Sequence, residues 1–149
     1  MLNSPSTFKD WQDYPATLDP VHIAWLKNAK KSKTAFAVAD IEGVEISHKR
    51  FLTGVLLFSK KIAAYSPEQN VGLLLPSSGG GAIASMAILA LGKTIVNLNF
   101  TAGKKALKSA AEQAEVKSIY TSRKFLDKMA ERGINLESFF PNSKLFMLE

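Results

Sequence analysis

The chain has 149 residues, of which 46% are hydrophobic and 21% are charged. This composition is typical of one soluble globular domain and excludes a disordered chain. There is no cysteine and there are only two histidines, which excludes a disulfide framework, a thiolate metal site and a cysteine nucleophile. The formal charge of +6 favours an acidic partner, but the lysines are spread along the chain and solvated faces also explain them.

The N-terminal segment, residues 1–33, is predicted to be an irregular or helical lead-in. It has no apolar run of the kind found in signal sequences. A short helix is predicted over residues 21–28, with Asp19 as its N-cap and Pro20 in its first turn.

A hairpin and a helix are predicted next. Residues 34–39 and 44–46 have the composition of strands, and the residues between them supply turn chemistry. Ser47 is then expected to cap a helix. The apolar positions of that helix recur at spacings of four, three and four residues, and they define one buried face: Phe51, Val55, Phe58 and Ile62.

From residue 71 onward, strands and helices alternate. This order predicts right-handed crossovers and a parallel sheet. The fold class is therefore α/β, an N-terminal β-hairpin followed by a parallel sheet with flanking helices, in one domain over residues 34–149. The predicted strands cover residues 71–75, 94–98, 117–120 and 144–148, and the predicted helices cover residues 81–91, 104–115 and 123–132.

Two of these helices carry further expectations. The helix over residues 81–91 is nearly uncharged, so most of its sides should be covered, yet no other segment is an evident cover. The segment around it is cut by Pro76 and three glycines, and it is too short for the ~20 apolar residues that span a bilayer. The helix over residues 104–115 is amphipathic, with an inward side made of Leu107, Ala110, Ala111 and Ala114.

The loop before the uncharged helix, P-S-S-G-G-G at residues 76–81, is the first candidate site. Because it leads from a strand into a helix, the backbone there and the residues Ser77, Ser78 and Gly79 could hold an anion. The loop is neither a dinucleotide fingerprint nor a Walker loop. The alternative is a structural turn in which glycine permits close packing.

A basic patch on the helix over residues 104–115 is the second candidate site. Lys104, Lys105 and Lys108 could receive phosphate or carboxylate groups, and Lys104 and Lys108 share a face. The alternative is a solvated face on which Lys108 pairs with Glu112.

Catalytic and metal-binding groupings are not evident in the sequence. We find no nucleophile paired with a base, no close carboxylate pair and no metal-ligand spacing, so we predict no catalytic residue and no metal site. Aromatic residues do not interleave with the basic ones, so we expect no nucleic-acid partner. Asn97 and Asn99 share one face of a strand and either point at a ligand or cap the next turn.

Three stretches resemble adenylate-forming enzymes, the acyl-CoA synthetase superfamily. Residues 40–52, D-I-E-G-V-E-I-S-H-K-R-F-L, resemble the motif D-x-x-G-x-x-L-T-Y-x-E-L-L, although His48 replaces the Tyr and Arg50 the Glu. Residues 71–76, V-G-L-L-L-P, are similar to V-x-x-L-L-P. Residues 87–101, A-I-L-A-L-G-K-T-I-V-N-L-N-F-T, are similar to A-I-L-K-A-G-A-V-V-V-P-L-N-P-T.

Two further stretches narrow the resemblance. They are L-N-F-T-A-G at residues 98–103 and S-I-Y-T-S-R-K-F-L-D-K at residues 118–128. Both resemble the synthetase part of the bacterial 2-acylglycerophosphoethanolamine acyltransferase/acyl-(acyl carrier protein) synthetase family. The resemblance covers roughly residues 35–149.

The resemblance implies a ligase of fatty acid metabolism. Such enzymes use ATP and Mg²⁺ to turn a carboxylate into acyl-AMP, and they then acylate the thiol of CoA or an acyl carrier protein. Their phosphate loop, T-S-G-S/T-T-G-x-P-K-G, is not in this sequence, and neither are their ribose-binding acid and C-terminal lysine. No catalytic residue is therefore carried over. In acetyl-CoA synthetase-like members of the resembled family, a basic residue on the helix after the L-N-x-T corner contacts CoA phosphate. Lys108 lies at about that position.

The resulting expectation is an N-terminal fragment of an AMP-binding enzyme, truncated before the phosphate loop and inactive alone. It should bind no cofactor by itself, and its partners should be the remainder of the parent enzyme, a fatty acid, and CoA or an acyl carrier protein. No membrane span is expected in it, and its location should be cytoplasmic, free or at the inner-membrane surface. The alternative is a stand-alone module that binds phosphopantetheine, CoA or an acyl carrier protein.

Overall fold

The computed structural model describes residues 19–40 and 43–149 of the chain. Residues 1–18 of the predicted lead-in (residues 1–33) and the centre of the predicted hairpin turn lie outside these residues. The helices and strands are α1 (Val21–Ala29), β1 (Phe36–Ala39), β2 (Glu45–Ser47), α2 (His48–Tyr65), β3 (Asn70–Leu73), α3 (Gly79–Ala90), β4 (Thr94–Asn97), α4 (Lys104–Gln113), β5 (Ser118–Thr121), α5 (Arg123–Ala130) and β6 (Lys144–Met147).

The strands form two sheets, as the α/β prediction requires. Strands β1 and β2 pair antiparallel as a hairpin. The other four strands form a parallel sheet in the order β4–β3–β5–β6. A helix connects each strand of this sheet to the next along the chain. The predicted fold class is confirmed.

The parallel sheet separates two apolar cores. Since β4 and β5 lie on opposite sides of β3, right-handed crossovers place α3 on one face of the sheet and α4 on the other. Side chains of α2 and α3 meet in one core, which includes Phe51, Ile62 and Ile88. Side chains of α4 and α5 meet in the other, which includes Leu107 and Phe125.

Helix α2 begins where the sequence predicts. The Ser47 hydroxyl accepts a hydrogen bond from the Arg50 N–H at 3.4 Å, so Ser47 is the N-cap. Phe51, Val55 and Ile62 are buried, and Phe58 is partly buried against the same core. The predicted apolar face is therefore the inner face of α2.

Helix α3 is covered, although the sequence showed no evident segment to cover it. It packs along α2, and it also contacts α1 and β1. Gly54 explains why α2 can approach so closely, because a Cβ at that position would lie 2.9 Å from Cδ1 of Ile83. Apolar pattern alone does not reveal this approach, since it depends on a residue without a side chain. Among the described residues, no helix is both long and apolar enough to cross a membrane.

Two local predictions are wrong. The N-cap position of α1 is held by Pro20 and not by Asp19, which instead binds the Lys27 ammonium at 2.6 Å. Asp19 lies one residue too early for its carboxylate to cap the first turn. Ala110 is exposed, because the inner line of α4 runs through Leu107 and Ala111, with Ala114 partly buried.

A buried hydroxyl pair connects α2 to the centre of the sheet. The hydroxyls of Ser66 and Tyr120 are hydrogen-bonded at 2.9 Å, and both residues are fully buried. The Tyr120 ring stacks on Phe146, which joins β5 to β6. Burial raises the pKa of the Tyr120 hydroxyl above its usual value, and nearby Glu68 adds to the rise, while the Ser66 hydrogen bond opposes it.

Gly72, in the central strand β3, gives a test of the packing between the strands and α4. A Cβ there would lie 2.8 Å from Cγ1 of Val116 and 2.9 Å from Cγ1 of Ile119, and neither atom is the free end of a flexible side chain. We expect Gly72→Ala to lower the free energy of unfolding by about 1–3 kcal/mol, measured by urea denaturation. The matched control is Gly80→Ala, where a Cβ would meet only Leu148 at 3.9 Å. Equal losses for the two variants would contradict the packing described.

Candidate functional site

The carboxyl edge of the parallel sheet is the candidate site. The chain leaves β3 toward β4 on one side, and β5 lies on the other side of β3. In open α/β sheets, ligands bind outside the carboxyl ends of the strands at the topological switch point, where the connections from adjacent strands lead to opposite sides. The loop that follows β3, residues 74–78, therefore occupies the position at which the fold favours a ligand.

Two clefts flank this loop. The hairpin cleft has a volume of about 900 Å³ and lies between the end of β1, the loop and the residues that follow β4. The switch cleft has a volume of about 520 Å³ and lies between the loop, α2, the start of α5 and the residues that follow β6. Both clefts share Asp40, Leu75, Pro76, Ser77 and Ser78.

The hairpin cleft is lined by apolar and neutral polar side chains. Among the described residues that line it, Asp40 is the one with a formal charge. The Asp40 carboxylate accepts a hydrogen bond from the Val44 N–H at 3.1 Å, which closes the hairpin turn. Asn97 and Asn99 both line the cleft. The Asn99 amide oxygen caps the turn after β4, where it accepts hydrogen bonds from the Thr101 N–H at 3.0 Å and hydroxyl at 2.7 Å.

The switch cleft is mainly apolar with charged groups at its boundary. The charged groups are Asp40, Lys124, Lys128 and Glu149. The Glu149 carboxylate accepts a hydrogen bond from the Arg123 N–H at 3.2 Å, at the N-terminus of α5, where negative charge is stabilised. The apolar lining residues include Leu57, Phe58, Leu75, Ile83, Phe125 and Leu148.

In the loop of the first candidate site, the structure assigns packing roles to two of the three predicted residues. The Ser78 hydroxyl accepts a hydrogen bond from the Gly81 N–H at 3.1 Å, so Ser78 is the N-cap of α3. Gly79 is buried, and a Cβ there would lie 2.7 Å from Cδ1 of Ile46. Ser77 is exposed and lines both clefts, and among the described residues its hydroxyl has no hydrogen-bond partner. Ser77 is the loop residue best placed to contact a ligand.

The lysines of the second candidate site lie away from both clefts. Lys108 is 3.8 Å from the Glu112 carboxylate, as the solvated-face alternative predicts. The Lys104 ammonium lies over the Phe139 ring, 5.2 Å from its centre. Lys108 lines a separate cleft of about 310 Å³ together with Lys117 and Phe140. The two predicted groups, Ser77–Gly79 and the lysines, therefore do not share a cleft.

Sequence reasoning missed the contributions of Asp40, Lys124 and Leu148 to the site. Asp40 was interpreted only as a turn residue, whereas it lies between the two clefts because the hairpin folds over the sheet edge. Lys124 and Leu148 follow strands of the parallel sheet. The rule that ligands bind at carboxyl ends could have selected these residues from the predicted strand ends.

No family model matches the sequence. Several solved structures do match the fold. A nonribosomal peptide synthetase, FmoA3, in its alpha-methyl-L-serine-AMP bound form, has a TM-score of 0.73 and 14% identity over 91% of this chain and 14% of its own. A four-domain nonribosomal peptide synthetase bound to AMP and glycine has a TM-score of 0.70 and 20% identity over 87% of this chain and 9% of its own.

A third match comes from the coenzyme A ligases. The O-succinylbenzoate coenzyme A synthetase of Bacillus subtilis, in complex with AMP, has a TM-score of 0.68 and 13% identity. The alignment covers 83% of this chain and 30% of that one. The chain thus spans less than a third of the length of each of these three proteins. Its hairpin and parallel sheet have the fold of a part of the adenylate-forming enzymes.

Proposed function

We propose that the chain is the N-terminal part of an ATP-dependent acyl-activating ligase. The parent enzyme would convert a fatty acid into acyl-AMP and transfer the acyl group to the thiol of an acyl carrier protein or CoA. The observation that carries this proposal is the match of the hairpin and four-stranded sheet to several adenylate-forming enzymes over 83–91% of the chain. The motif order along residues 40–128 supports it independently.

The switch cleft suits the substrate class of this proposal. Its walls carry Phe58, Ile83, Phe125 and Leu148, which would remove an aliphatic chain from water. Burial of apolar surface is worth about 25 cal/mol per Å², so an acyl chain gains free energy with each methylene that enters. The cleft thus supports a carboxylic acid with an apolar tail as the substrate.

Among the described residues, the hairpin cleft lacks the positive charges that adenylate formation needs. A triphosphate carries several negative charges, and enzymes hold it with backbone N–H groups, cations and Mg²⁺. In the hairpin cleft, by contrast, the charged lining residue is the carboxylate of Asp40. Because the glycine-rich phosphate loop and the C-terminal lysine of the resembled family are not in the sequence, the chain would serve as scaffold for groups supplied by the rest of the parent.

Exchange of labelled pyrophosphate into ATP tests this conclusion. With a fatty acid and Mg²⁺ present, we expect the purified chain to give no exchange above the protein-free blank. A complete adenylate-forming enzyme assayed with its own substrate is the positive control. Exchange that depends on the fatty acid would overturn the proposed inactivity. A downstream reading frame without T-S-G-x-T-G-x-P-K-G would count against the parent enzyme itself.

The alternative function, a stand-alone module for CoA or an acyl carrier protein, rests on the net charge of +6. The lysine patch supports it weakly, because Lys104 and Lys108 already contact Phe139 and Glu112. An anion would have to displace the Lys108–Glu112 ion pair. Exposed pairs of this kind contribute less than about 1 kcal/mol, so this pair would not prevent an anion from binding. A binding titration therefore tests the alternative function.

We expect no saturable binding of CoA to the chain in the micromolar range at low salt. The measurement is isothermal titration at two salt concentrations, with wild type, Lys108→Ala and Arg132→Ala. Arg132, two residues after α5, is exposed and provides the matched loss of one charge. Salt-sensitive binding that Lys108→Ala removes and Arg132→Ala retains would establish the module instead.

A further inference from the structure

The solvent-facing side of α2 combines cations with exposed leucines and contains no acid. This outer face lies opposite the buried Phe51 and Ile62 and runs the length of an 18-residue helix. Helix α2 has no Asp or Glu at any position, and the nearest acids in the sequence, Glu45 and Glu68, lie outside it. The exposed residues of the outer face are Lys49, Arg50, Thr53, Leu56, Leu57, Lys60, Ala63 and Ala64.

The leucines of the outer face are open to solvent. Leu56 is 57% exposed and Leu57 is 64% exposed. Single exposed apolar residues are common, but two adjacent leucines with Lys49, Arg50 and Lys60 on the same helix face form an amphipathic patch. The helices on the other face of the sheet differ, because α4 carries Glu112 and α5 carries Asp127 among their lysines.

The chain before α2 extends this patch. The Lys49 N–H donates to the Lys33 carbonyl at 3.0 Å, so the segment that follows α1 lies against the first turn of α2. That segment adds the exposed side chains of Lys31 and Lys33. Phe36, which is 64% exposed, is in register with Ser47 beside the same turn.

The charges at the start of α2 are arranged unfavourably for the isolated molecule. The N-terminus of a helix carries partial positive charge and is stabilised by anions. The first turn of α2 instead holds Lys49 and Arg50 and no acid. Among the described residues, neither side chain has an ionic partner, in contrast to Lys27, which binds Asp19. A polyanionic surface next to this turn would relieve the repulsion.

We propose that the outer face of α2, together with Lys31, Lys33 and Phe36, docks on an anionic lipid surface. The leucines and Phe36 would enter the region between headgroups and acyl chains, and the cations would contact lipid phosphates. A folded acidic protein fits less well, because Lys49, Leu56 and Lys60 line none of the three clefts described and stand out from the helix. A fluid interface adapts to such a protruding face. This inference does not depend on the proposed enzymatic function.

Vesicle co-sedimentation of the full chain tests the proposal. The probes are vesicles of phosphatidylcholine alone and of phosphatidylcholine with phosphatidylglycerol, at low and high salt. We expect binding to the anionic vesicles only. The double variant Lys49→Glu with Arg50→Glu should weaken this binding at least about tenfold, since each cation near an anionic surface contributes on the order of 1 kcal/mol.

The matched control is Lys105→Glu with Arg132→Glu, which changes the net charge equally on α4 and two residues after α5. We expect its binding to stay within about threefold of wild type, because α4 and α5 pack on the face of the sheet opposite α2, and salt screens charges over about 10 Å. Leu56→Gln with Leu57→Gln removes only the apolar part and should also weaken binding. Circular dichroism of each variant checks that the fold is retained.

Four results would overturn the proposal. Failure of the wild type to bind anionic vesicles is the first. An equal loss of vesicle binding in the control variant would show that net charge alone explains the binding. Unchanged binding of the variant Leu56→Gln with Leu57→Gln would exclude insertion of the leucines into the lipid. Binding of nucleic acid or an acidic protein through Lys49 and Arg50, without vesicle binding, would assign this surface to another polyanion.

Discussion

The position of β3 between β4 and β5 is the constraint on which the rest of the structure depends. Because its neighbours lie on opposite sides, the crossovers must place α3 and α4 on opposite faces of the sheet. Both faces of β3 are then covered, and Gly72 meets Val116 and Ile119 at distances that leave no room for a side chain. The same reversal leaves an opening at the carboxyl end of the strands, where the two clefts form.

The loop after β3 shows how the fold uses most of the polar groups at this opening. The Ser78 hydroxyl caps α3, and Gly79 allows β2 to approach the start of that helix. A phosphate at this helix terminus would therefore compete with a hydroxyl that already satisfies the Gly81 N–H. Ser78 and Gly79 are thus explained by local structure, whereas Ser77 stays exposed between the two clefts.

The sequence was sufficient for the elements whose residues repeat at a fixed spacing. The inner face of α2 and the alternation of strands with helices follow from such spacing, and both were predicted. Contacts between distant segments were not, because they depend on residue size as well as on pattern. Gly54 permits the approach of α2 to α3, so the cover of α3 could not be recognised from hydrophobicity. The Asp19 error is local instead: the helix begins at Val21, so Pro20 takes the N-cap position and Asp19 lies one residue too early.

The candidate site was predictable only in part. The loop residues Ser77–Gly79 were placed at the correct edge of the sheet because they follow a predicted strand. Asp40 joins them only because the hairpin folds over that edge, which no local pattern encodes, whereas Leu148 stands at the end of the last predicted strand. The lysines of α4 were grouped by spacing and, for Lys108, by the resemblance, and the ion pair to Glu112 shows that spacing predicts neighbours on a helix without predicting a ligand.

Leu57 connects the two surfaces proposed here. Its side chain belongs to the outer face of α2 and also lines the switch cleft. An apolar patch that lies on lipid and continues into an apolar cleft would shorten the path of an amphiphilic acid from the bilayer, because its chain would remain in contact with apolar side chains. Gly54 lies one turn before Leu57 on the same side of α2. It has no side chain, so it lines the cleft without narrowing it. Docking through α2 would therefore bring the opening of the switch cleft toward the membrane, where a fatty acid is concentrated.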